Sequence, residues 1–312
     1  MNHAEELCDR ALELSNGGDS AGAVDLWNQA AALGSARAVY NLGYVAESSG
    51  DITGAKRLYR QACTGPDPYP LAYYNLSVIA MNENDLTYSA ELAEKAADLG
   101  VQEAAFNRAQ LALWEEDLET AQHWWFRASD LGSETAAYNL GILAKQNGNL
   151  SDSEEWFRIA AERGEVEAMN DYAVALRMAD KHEEAQSWYE QAAAGGSTNA
   201  MINLGDIALL NDDRESARLW YEQAAAGGNE QAAQNLAWLQ SPSPPQNVPS
   251  HKHKRHRNYR QPETSGTESR PADADGDDRT RPMPSAFCSM CGQRFADTDR
   301  WCTGCGSDRH SV

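Results

Sequence analysis

The chain has 312 residues, a mass of 34.2 kDa and a formal net charge of −21. It contains no run of 18 apolar residues, which excludes a membrane-spanning helix, and its polar, acidic N-terminal segment does not fit a secretory signal. The acidity argues against a general nucleic-acid-coating protein, and six cysteines do not make a disulfide scaffold in a chain of this length.

Charge is distributed unevenly along the chain. Residues 1–240 carry 15 Lys and Arg against 38 Asp and Glu, whereas residues 241–312 carry 11 against 9. Four of the six cysteines also lie in the C-terminal part. The sequence therefore divides into an acidic body and a chemically different C-terminal region.

The acidic body contains an internal repeat of about 32 residues. In each unit, apolar residues recur at three- and four-residue spacing in two halves, with a polar break such as SSGD or QNGN between them. A glycine follows each second half, as expected for a C-cap in the left-handed conformation. Each unit is therefore predicted to form two short helices. The predicted hairpins lie at about 4–34, 36–65, 71–100, 103–132, 135–164, 167–196 and 199–228, with a capping helix near 230–239.

Three positions of every unit are small, as Gly141, Ser153 and Ala160 illustrate. Small side chains allow the two helices of a hairpin to approach closely and allow the next hairpin to stack on them. Aromatic pairs such as Trp156 and Phe157 are predicted to fill the gaps between layers. Such a repeat buries a continuous core only through contacts between neighbouring units.

The NLG segments at 41–43, 139–141 and 203–205, together with the small positions and the W-Y/F-x-x-A-A-x-x-G runs, resemble the tetratricopeptide superfamily. The resemblance is closest to its Sel-one-like branch. It implies an all-α fold over residues 1–240, a right-handed α–α superhelical solenoid of about seven hairpins and a capping helix. The period of 32 residues is shorter than is usual in either branch, which leaves the superhelical curvature open.

The resemblance also implies a concave groove, lined by the first helices, that binds a protein or an extended peptide and no small-molecule substrate. In some members an asparagine ladder on that groove holds the peptide backbone. An amide side chain offers a donor and an acceptor, so it can bind a peptide bond whatever the neighbouring side chain. The alternative is that these asparagines bond the neighbouring repeat. The matching ladder residues are Asn41, Asn75, Asn107, Asn139, Asn203 and Asn235, with Asp171 as the exception.

Aromatic residues on the same helices are predicted to flank the ladder. They would either give a partner amphipathic contact area or pack between repeats. The acidity of the body favours a basic partner through electrostatic steering, or else it only keeps the solenoid in solution. The flanking residues are Tyr40, Tyr44, Tyr74, Phe106 and Tyr138.

Residues 241–286 are rich in Pro, Ser and charge and lack hydrophobic periodicity, which predicts a disordered linker. Within it, residues 251–260 contain five Lys and Arg, three His and no acidic residue. This basic run is compatible with three roles: contact with nucleic-acid phosphates, folding back onto the acidic solenoid through tethering, or simple solvation.

Residues 287–309 contain two C-x-x-C-G knuckles separated by ten residues. The spacing predicts a tetrahedral site for one structural Zn²⁺, with Cys288, Cys291, Cys302 and Cys305 as its ligands. The segment resembles a zinc ribbon, which implies that it needs the metal to fold. The alternatives are a redox dithiol and an iron site of the iron–sulfur or rubredoxin type.

No catalytic motif is present: the sequence lacks a P-loop, a G-x-G-x-x-G, an H-E-x-x-H and a nucleophile elbow. The sequence therefore predicts a non-catalytic interaction scaffold rather than an enzyme. Zinc thiolates and unpaired Cys8 and Cys63 favour a cytoplasmic location. The main alternative is a nucleic-acid-associated regulator that uses residues 251–260 and the ribbon, and a third is a redox or metal sensor.

Overall fold

The computed structural model describes residues 3–241, and α-helix is the only regular secondary structure in this range. It confirms the all-α fold class and the predicted succession of paired short helices with a final single helix. The fifteen helices of the described range are α1 (His3–Asn16), α2 (Ser20–Ala32), α3 (Ala36–Ser48), α4 (Ile52–Ala62), α5 (Pro70–Asn82), α6 (Leu86–Asp98), α7 (Gln102–Trp114), α8 (Leu118–Asp130), α9 (Glu134–Gln146), α10 (Leu150–Glu162), α11 (Val166–Met178), α12 (His182–Ala194), α13 (Thr198–Leu210), α14 (Arg214–Ala226) and α15 (Glu230–Gln240).

The predictions for the C-terminal region lie outside the described residues. They are the linker beyond Ser241, the basic run 251–260 and the zinc ribbon 287–309 with its four cysteine ligands.

Capping residues in the sequence determine where many of the helices begin and end. Several second helices begin after an aspartate whose carboxylate accepts the backbone N–H three residues later, as Asp51 does from Gly54 at 2.8 Å. Several first helices begin after a serine that does the same, as Ser133 does from Ala136 at 3.1 Å. The glycines between hairpins have positive φ, 110° at Gly132 for example, which confirms the predicted left-handed C-caps.

The two helices of a hairpin approach so closely that an aromatic ring lies directly on a glycine. A Cβ added to Gly43 would lie 2.7 Å from the Tyr59 ring, and one added to Gly141 would lie 2.6 Å from the Phe157 ring. The small residue is therefore required by the ring opposite it. We call the place of this ring on each second helix the aromatic position. It is occupied by Trp27, Tyr59, Trp125, Phe157, Tyr189 and Tyr221, whereas α6 has Ala93 there.

Small serines add hydrogen bonds across the hairpins. The Ser89 hydroxyl donates to the Ser77 carbonyl oxygen at 2.8 Å, and the Ser153 hydroxyl donates to the Gly141 carbonyl oxygen at 2.9 Å. Of the predicted aromatic pairs, the second residue is the buried one. Phe157 is buried, while Trp156 is half-buried and meets Phe126 edge-on, with 5.3 Å between ring centroids.

The described chain forms two compact units, residues 3–175 and 176–241, whose boundary falls within α11. In the first unit, helices α1 to α9 each pack on the next one in sequence, up to α10. Its core consists of alanines and the buried aromatic and leucine side chains between them, as around Trp125 and Leu140. In the second unit α12 to α15 also pack in sequence, around Tyr221. No helix in the described range is both long and apolar enough to cross a membrane.

Candidate functional site

The ladder residues all lie near the middle of first helices. In the first unit they are Asn41 on α3, Asn75 on α5, Asn107 on α7, Asn139 on α9 and Asp171 on α11. In the second unit they are Asn203 on α13 and Asn235 on α15. Their surroundings differ from repeat to repeat, and the residue at the preceding aromatic position accounts for much of the difference.

Asn75 is bonded by its own chain. Its Nδ2 donates to the Tyr59 hydroxyl at 3.0 Å, and that hydroxyl donates to Glu47 Oε2 at 2.5 Å. The three groups come from α5, α4 and α3 and tie two successive hairpins together. We call this arrangement the tyrosine triad.

The same triad recurs in the second unit. The Tyr221 hydroxyl donates to Asp206 Oδ1 at 2.5 Å and is also hydrogen-bonded to Asn235. The remaining acceptor of this amide, Asn235 Oδ1, accepts from Gln231 Nε2 at 2.9 Å.

Burial raises the pKa of the Tyr59 hydroxyl, and the Glu47 carboxylate raises it further. Burial and then Asp206 act in the same way on the pKa of Tyr221. Both hydroxyls therefore stay protonated and act as hydrogen-bond donors to the carboxylates. The amides of Asn75 and Asn235 thus bond a neighbouring repeat, which was the alternative to peptide binding that the sequence left open.

Asn107 follows a repeat in which the aromatic position is an alanine, Ala93. Its side chain is hydrogen-bonded to Tyr74 from the preceding first helix. The neighbouring Arg108 donates from Nε to Glu94 Oε1 at 2.8 Å. Here too the ladder amide has a partner within the first unit.

Asn139 is different, because its amide is buried without a partner in the part of the chain that the structure describes. The residue is 2% exposed, and neither Nδ2 nor Oδ1 forms a hydrogen bond with the described residues. The preceding aromatic position holds Trp125, whose ring has no hydroxyl and whose Nε1–H is likewise buried without a described partner. A buried amide that forms no hydrogen bond lowers the stability of the folded chain, so its presence here needs an explanation.

Asp171 takes the next ladder position, and the aromatic position before it is Phe157. Its carboxylate accepts from the Tyr138 hydroxyl at 3.4 Å and lies 3.5 Å from Lys145 Nζ. Lys145 Nζ also lies 5.5 Å from the centroid of the Phe157 ring. Burial raises the pKa of Asp171, while Lys145 opposes that rise.

Most of the flanking aromatics contribute to packing. Tyr40 lies between Tyr59 and Tyr69, with centroid separations of 5.6 and 4.8 Å. Tyr138 is buried against Phe157. Tyr74 and Phe106 pack against the alanine-rich core of the first unit, which leaves Tyr44, 58% exposed, as the flanking residue most open to solvent.

Charged groups on the first helices are mostly acidic. Arg37 is held by Glu5 and Asp9, at 3.3 and 2.8 Å. Glu165 is half-buried beside Thr135, and burial raises the pKa of its carboxyl, with Glu134 adding to the rise. Among residues 3–241, no group of three or more His, Cys, Asp or Glu side chains is placed to hold a metal ion.

Sequence reasoning missed the residues that decide the state of each ladder amide. Two triads are completed by Tyr59 with Glu47 and by Tyr221 with Asp206. Trp125 has no hydroxyl, so no such triad forms at Asn139. The signal was present: in the 32-residue units the deciding aromatic stands 14 residues before the ladder position, as Trp125 stands before Asn139.

A tetratricopeptide repeat family model matches residues 8–70 and 138–200 of this chain. No protein with a curated description shows significant sequence similarity to it.

Solved structures give a wider match. A protective antigen of uropathogenic Escherichia coli that displays an SLR fold is 23% identical, with a TM-score of 0.62 over 76% of this chain and 57% of the antigen chain. A Sel1 repeat protein from Oxalobacter formigenes is 21% identical, with a TM-score of 0.56 over 70% of this chain and 99% of that one. The fold is thus a helical repeat of the tetratricopeptide and Sel1-like type.

Proposed function

We propose that the chain is a non-catalytic, cytoplasmic interaction scaffold that binds an extended segment of a protein partner along its first helices. The observation that carries the proposal is the series of ladder positions on successive first helices of residues 3–175. Asn41 is only half-buried there, and Tyr44 is largely exposed beside it. Helical repeats of this type generally mediate protein–protein interaction.

Charge supports a basic partner. Residues 1–240 carry 23 more acidic than basic side chains. Several of the basic ones are already paired, as Arg37 is with Asp9 and Arg158 is with Glu162. The acidic excess would speed encounter with a basic segment and slow encounter with an acidic one.

We further propose that the C-terminal region holds one structural Zn²⁺. The support is the spacing of Cys288, Cys291, Cys302 and Cys305, which suits four thiolate ligands around one ion. Metal analysis of the purified full-length chain should find about one zinc per chain, and Cys288→Ser together with Cys305→Ser should remove it. Zinc content unchanged by that double substitution would contradict the site.

The binding proposal is tested by capture from native lysate with the full-length chain, after nuclease treatment. Tyr44→Ser combined with Asn41→Ala should weaken retention of the captured partners about tenfold, because both side chains lie on the α3 part of the first-helix face. The matched control is Phe126→Ser, which removes an aromatic side chain of 39% exposure from a second helix and should leave retention unchanged.

Equal retention by the wild-type chain, the double variant and Phe126→Ser would contradict binding on the first helices, provided that circular dichroism shows equal helicity. Loss of every partner on nuclease treatment would instead favour the nucleic-acid-associated regulator. In that case retention should also fall steeply with salt, because phosphate contacts are released by competing counterions.

A further inference from the structure

The turns inside the hairpins of the first unit contain exposed apolar side chains. From α3 to α10, consecutive helices pack on one another, and a turn of three residues joins the two helices of each hairpin in all cases, so the helices alternate in direction. The turns within hairpins therefore lie on one edge of the stack. We call this surface the turn edge, and it consists of residues 48–52, 82–86, 114–118 and 146–150. Its apolar side chains are Ile52, Trp114, Leu118 and Leu150, which are exposed, and Leu86, which is half-buried.

The fold does not require apolar residues at these places. The four aliphatic residues of the turn edge each stand first in a second helix, a place that Ser20 occupies in α2 and Arg214 occupies in α14. Polar and charged residues are thus compatible with the start of a second helix. Apolar side chains that recur in solvent on successive hairpins are typical of a surface that binds a partner.

Carboxylates surround these apolar side chains. The four turns contain six Asp and Glu and no Lys or Arg. Among residues 3–241, only Glu83 of the six forms an ion pair, with Lys56. Three of the others, Asp51, Asp85 and Asp117, accept backbone N–H groups at the starts of α4, α6 and α8. Each of these carboxylates is therefore fixed directly before an apolar residue of the turn edge.

Two of the turns have a polar side chain where the backbone favours glycine. The left-handed residue is Gly50 in one turn and Gly148 in another, but Asn84 and Glu116 adopt the same conformation, with φ of 62° and 57°. Glutamate is unfavourable there, because its Cβ crowds the backbone. A glycine would form the turn more easily, so Glu116 indicates that a negative charge at the turn edge has a use beyond forming the turn.

Charge and composition determine which occupant fits the turn edge. Pairing with the turn edge of a second copy would bring carboxylates together, and an anionic lipid surface would be repelled in the same way. Residues 251–260 of the same chain have the complementary charge, but they contain no Leu, Ile, Val, Met, Phe or Trp to pack on the apolar side chains. The turn edge therefore fits a segment of another protein that combines apolar residues with Lys and Arg.

We propose that the turn edge binds a cationic amphipathic segment of a partner protein. Apolar side chains of the segment pack on Trp114, Leu118 and Leu150, and its Lys and Arg face the surrounding carboxylates. This surface differs from the one that carries the ladder, because the ladder residues lie near the middle of first helices and the turn edge lies at their ends. The inference therefore goes beyond the proposed function and does not depend on the ladder.

The test uses the full-length chain and a fluorescent peptide of leucine and lysine whose leucines lie on one face of a helix. Affinity is measured by fluorescence anisotropy. Leu118→Ser combined with Leu150→Ser should weaken binding about tenfold, because it removes two apolar contacts without changing the charge. Serine is compatible with the first position of a second helix, as Ser20 shows, and circular dichroism checks that the variant is folded.

The matched control is Leu33→Ser combined with Leu99→Ser. These leucines are 56% and 46% exposed, against 64% and 48% for Leu150 and Leu118, but they follow the last residues of second helices and so lie at the opposite edge. The control should change affinity less than twofold.

A second pair of variants tests the charge. Glu115→Gln combined with Glu116→Gln should weaken binding about fivefold at low salt, and the difference from wild type should shrink as salt is added. Glu91→Gln combined with Asp130→Asn removes the same charge from exposed places outside the turns, and it should change affinity less than twofold.

Equal affinities of wild type and the Leu118/Leu150 variant, or equal losses in the two leucine variants, would overturn the inference. Three further results would overturn it by naming another occupant. They are a dimer in sedimentation velocity that the Leu118/Leu150 variant abolishes, a gain in peptide affinity of more than threefold when residues 251–260 are deleted, and binding to phosphatidylserine vesicles that the same leucine variant abolishes. Each of these results would leave the proposed function of the first helices standing.

Discussion

The repeat around Tyr59 and the repeat around Trp125 are built on the same pattern, yet they treat their ladder asparagine in opposite ways. Tyr59 joins Asn75 to Glu47 through one hydroxyl, with hydrogen bonds of 3.0 and 2.5 Å. Trp125 fills the corresponding position with an indole, and the Asn139 amide is buried without a partner among residues 3–241. The same repeated asparagine therefore forms a hydrogen bond between hairpins in one repeat and is a buried amide without a described partner in another.

The ring opposite the small position also differs between the two repeats. Tyr59 lies on Gly43, where an added Cβ would be 2.7 Å from two ring carbons, while Trp125 belongs to a hairpin whose small residue is Ala109. Gly43→Ala should therefore destabilise the chain by about 3 kcal/mol, the upper end for overpacking, because the Tyr59 hydroxyl is anchored and the ring cannot retreat freely. Urea unfolding measures the change.

The control for that substitution is Ala109→Gly, made at the same repeat position. It should cost only about 0.5–1 kcal/mol, from the lower helix propensity of glycine. Similar losses at the two positions would mean that the ring contact at Gly43 is not what requires the glycine.

The triad itself can be broken by Tyr59→Phe, which keeps the ring and removes the hydroxyl. We expect a loss of about 1–2 kcal/mol, because Glu47 and Asn75 both lose a partner while remaining half-buried. Phe157 shows that a phenyl ring fits the aromatic position, so the loss should come from hydrogen bonding and not from packing. A Tyr59→Phe chain as stable as wild type would show that the triad contributes nothing to the fold.

Substituting leucine at the two asparagines should give changes of opposite sign. Asn139→Leu should raise the free energy of unfolding by about 1 kcal/mol, because it removes two buried polar atoms that have no partner among the described residues. Asn75→Leu should lower it by a similar amount, because it leaves the Tyr59 hydroxyl with one bond fewer. Paired urea titrations measure both changes. Destabilisation at both positions would show that Asn139 has a partner after all.

Much of the fold could be predicted from the sequence, because it depends on local signals. The polar breaks, the capping residues and the glycine period each act over a few residues, and the predicted hairpins match the observed helix pairs. The state of each ladder amide was harder to predict, because it depends on a contact between hairpins. Nothing within α9 separates Asn139 from Asn75 on α5, since the deciding hydroxyl belongs to the preceding second helix. The exposure of the flanking aromatics depended on the same packing, which buries Tyr138 and leaves Tyr44 open.

The smallest expected effect concerns Asp171, where a carboxylate replaces the ladder asparagine. Burial raises its pKa in the folded chain above the unfolded value of about 3.9. Protonation therefore stabilises the fold fully below about pH 4, and this contribution is lost as pH rises through the folded pKa. Asp171→Asn cannot ionise, so it should be more stable than wild type by up to about 1 kcal/mol at pH 7, with the difference fading towards pH 4. Urea unfolding at several pH values measures it.

Glu155→Gln is the matched control, because the hydrogen bond from Arg158 lowers the pKa of the Glu155 carboxyl instead of raising it. The sign of its pH dependence should be reversed: any loss of stability relative to wild type appears above the unfolded pKa of glutamate and disappears in acid. If Asp171→Asn is less stable than wild type at pH 7, then the Lys145 pair outweighs the burial of the carboxylate. Asp171 would then be a structural partner of Lys145, like the amides held in the tyrosine triads.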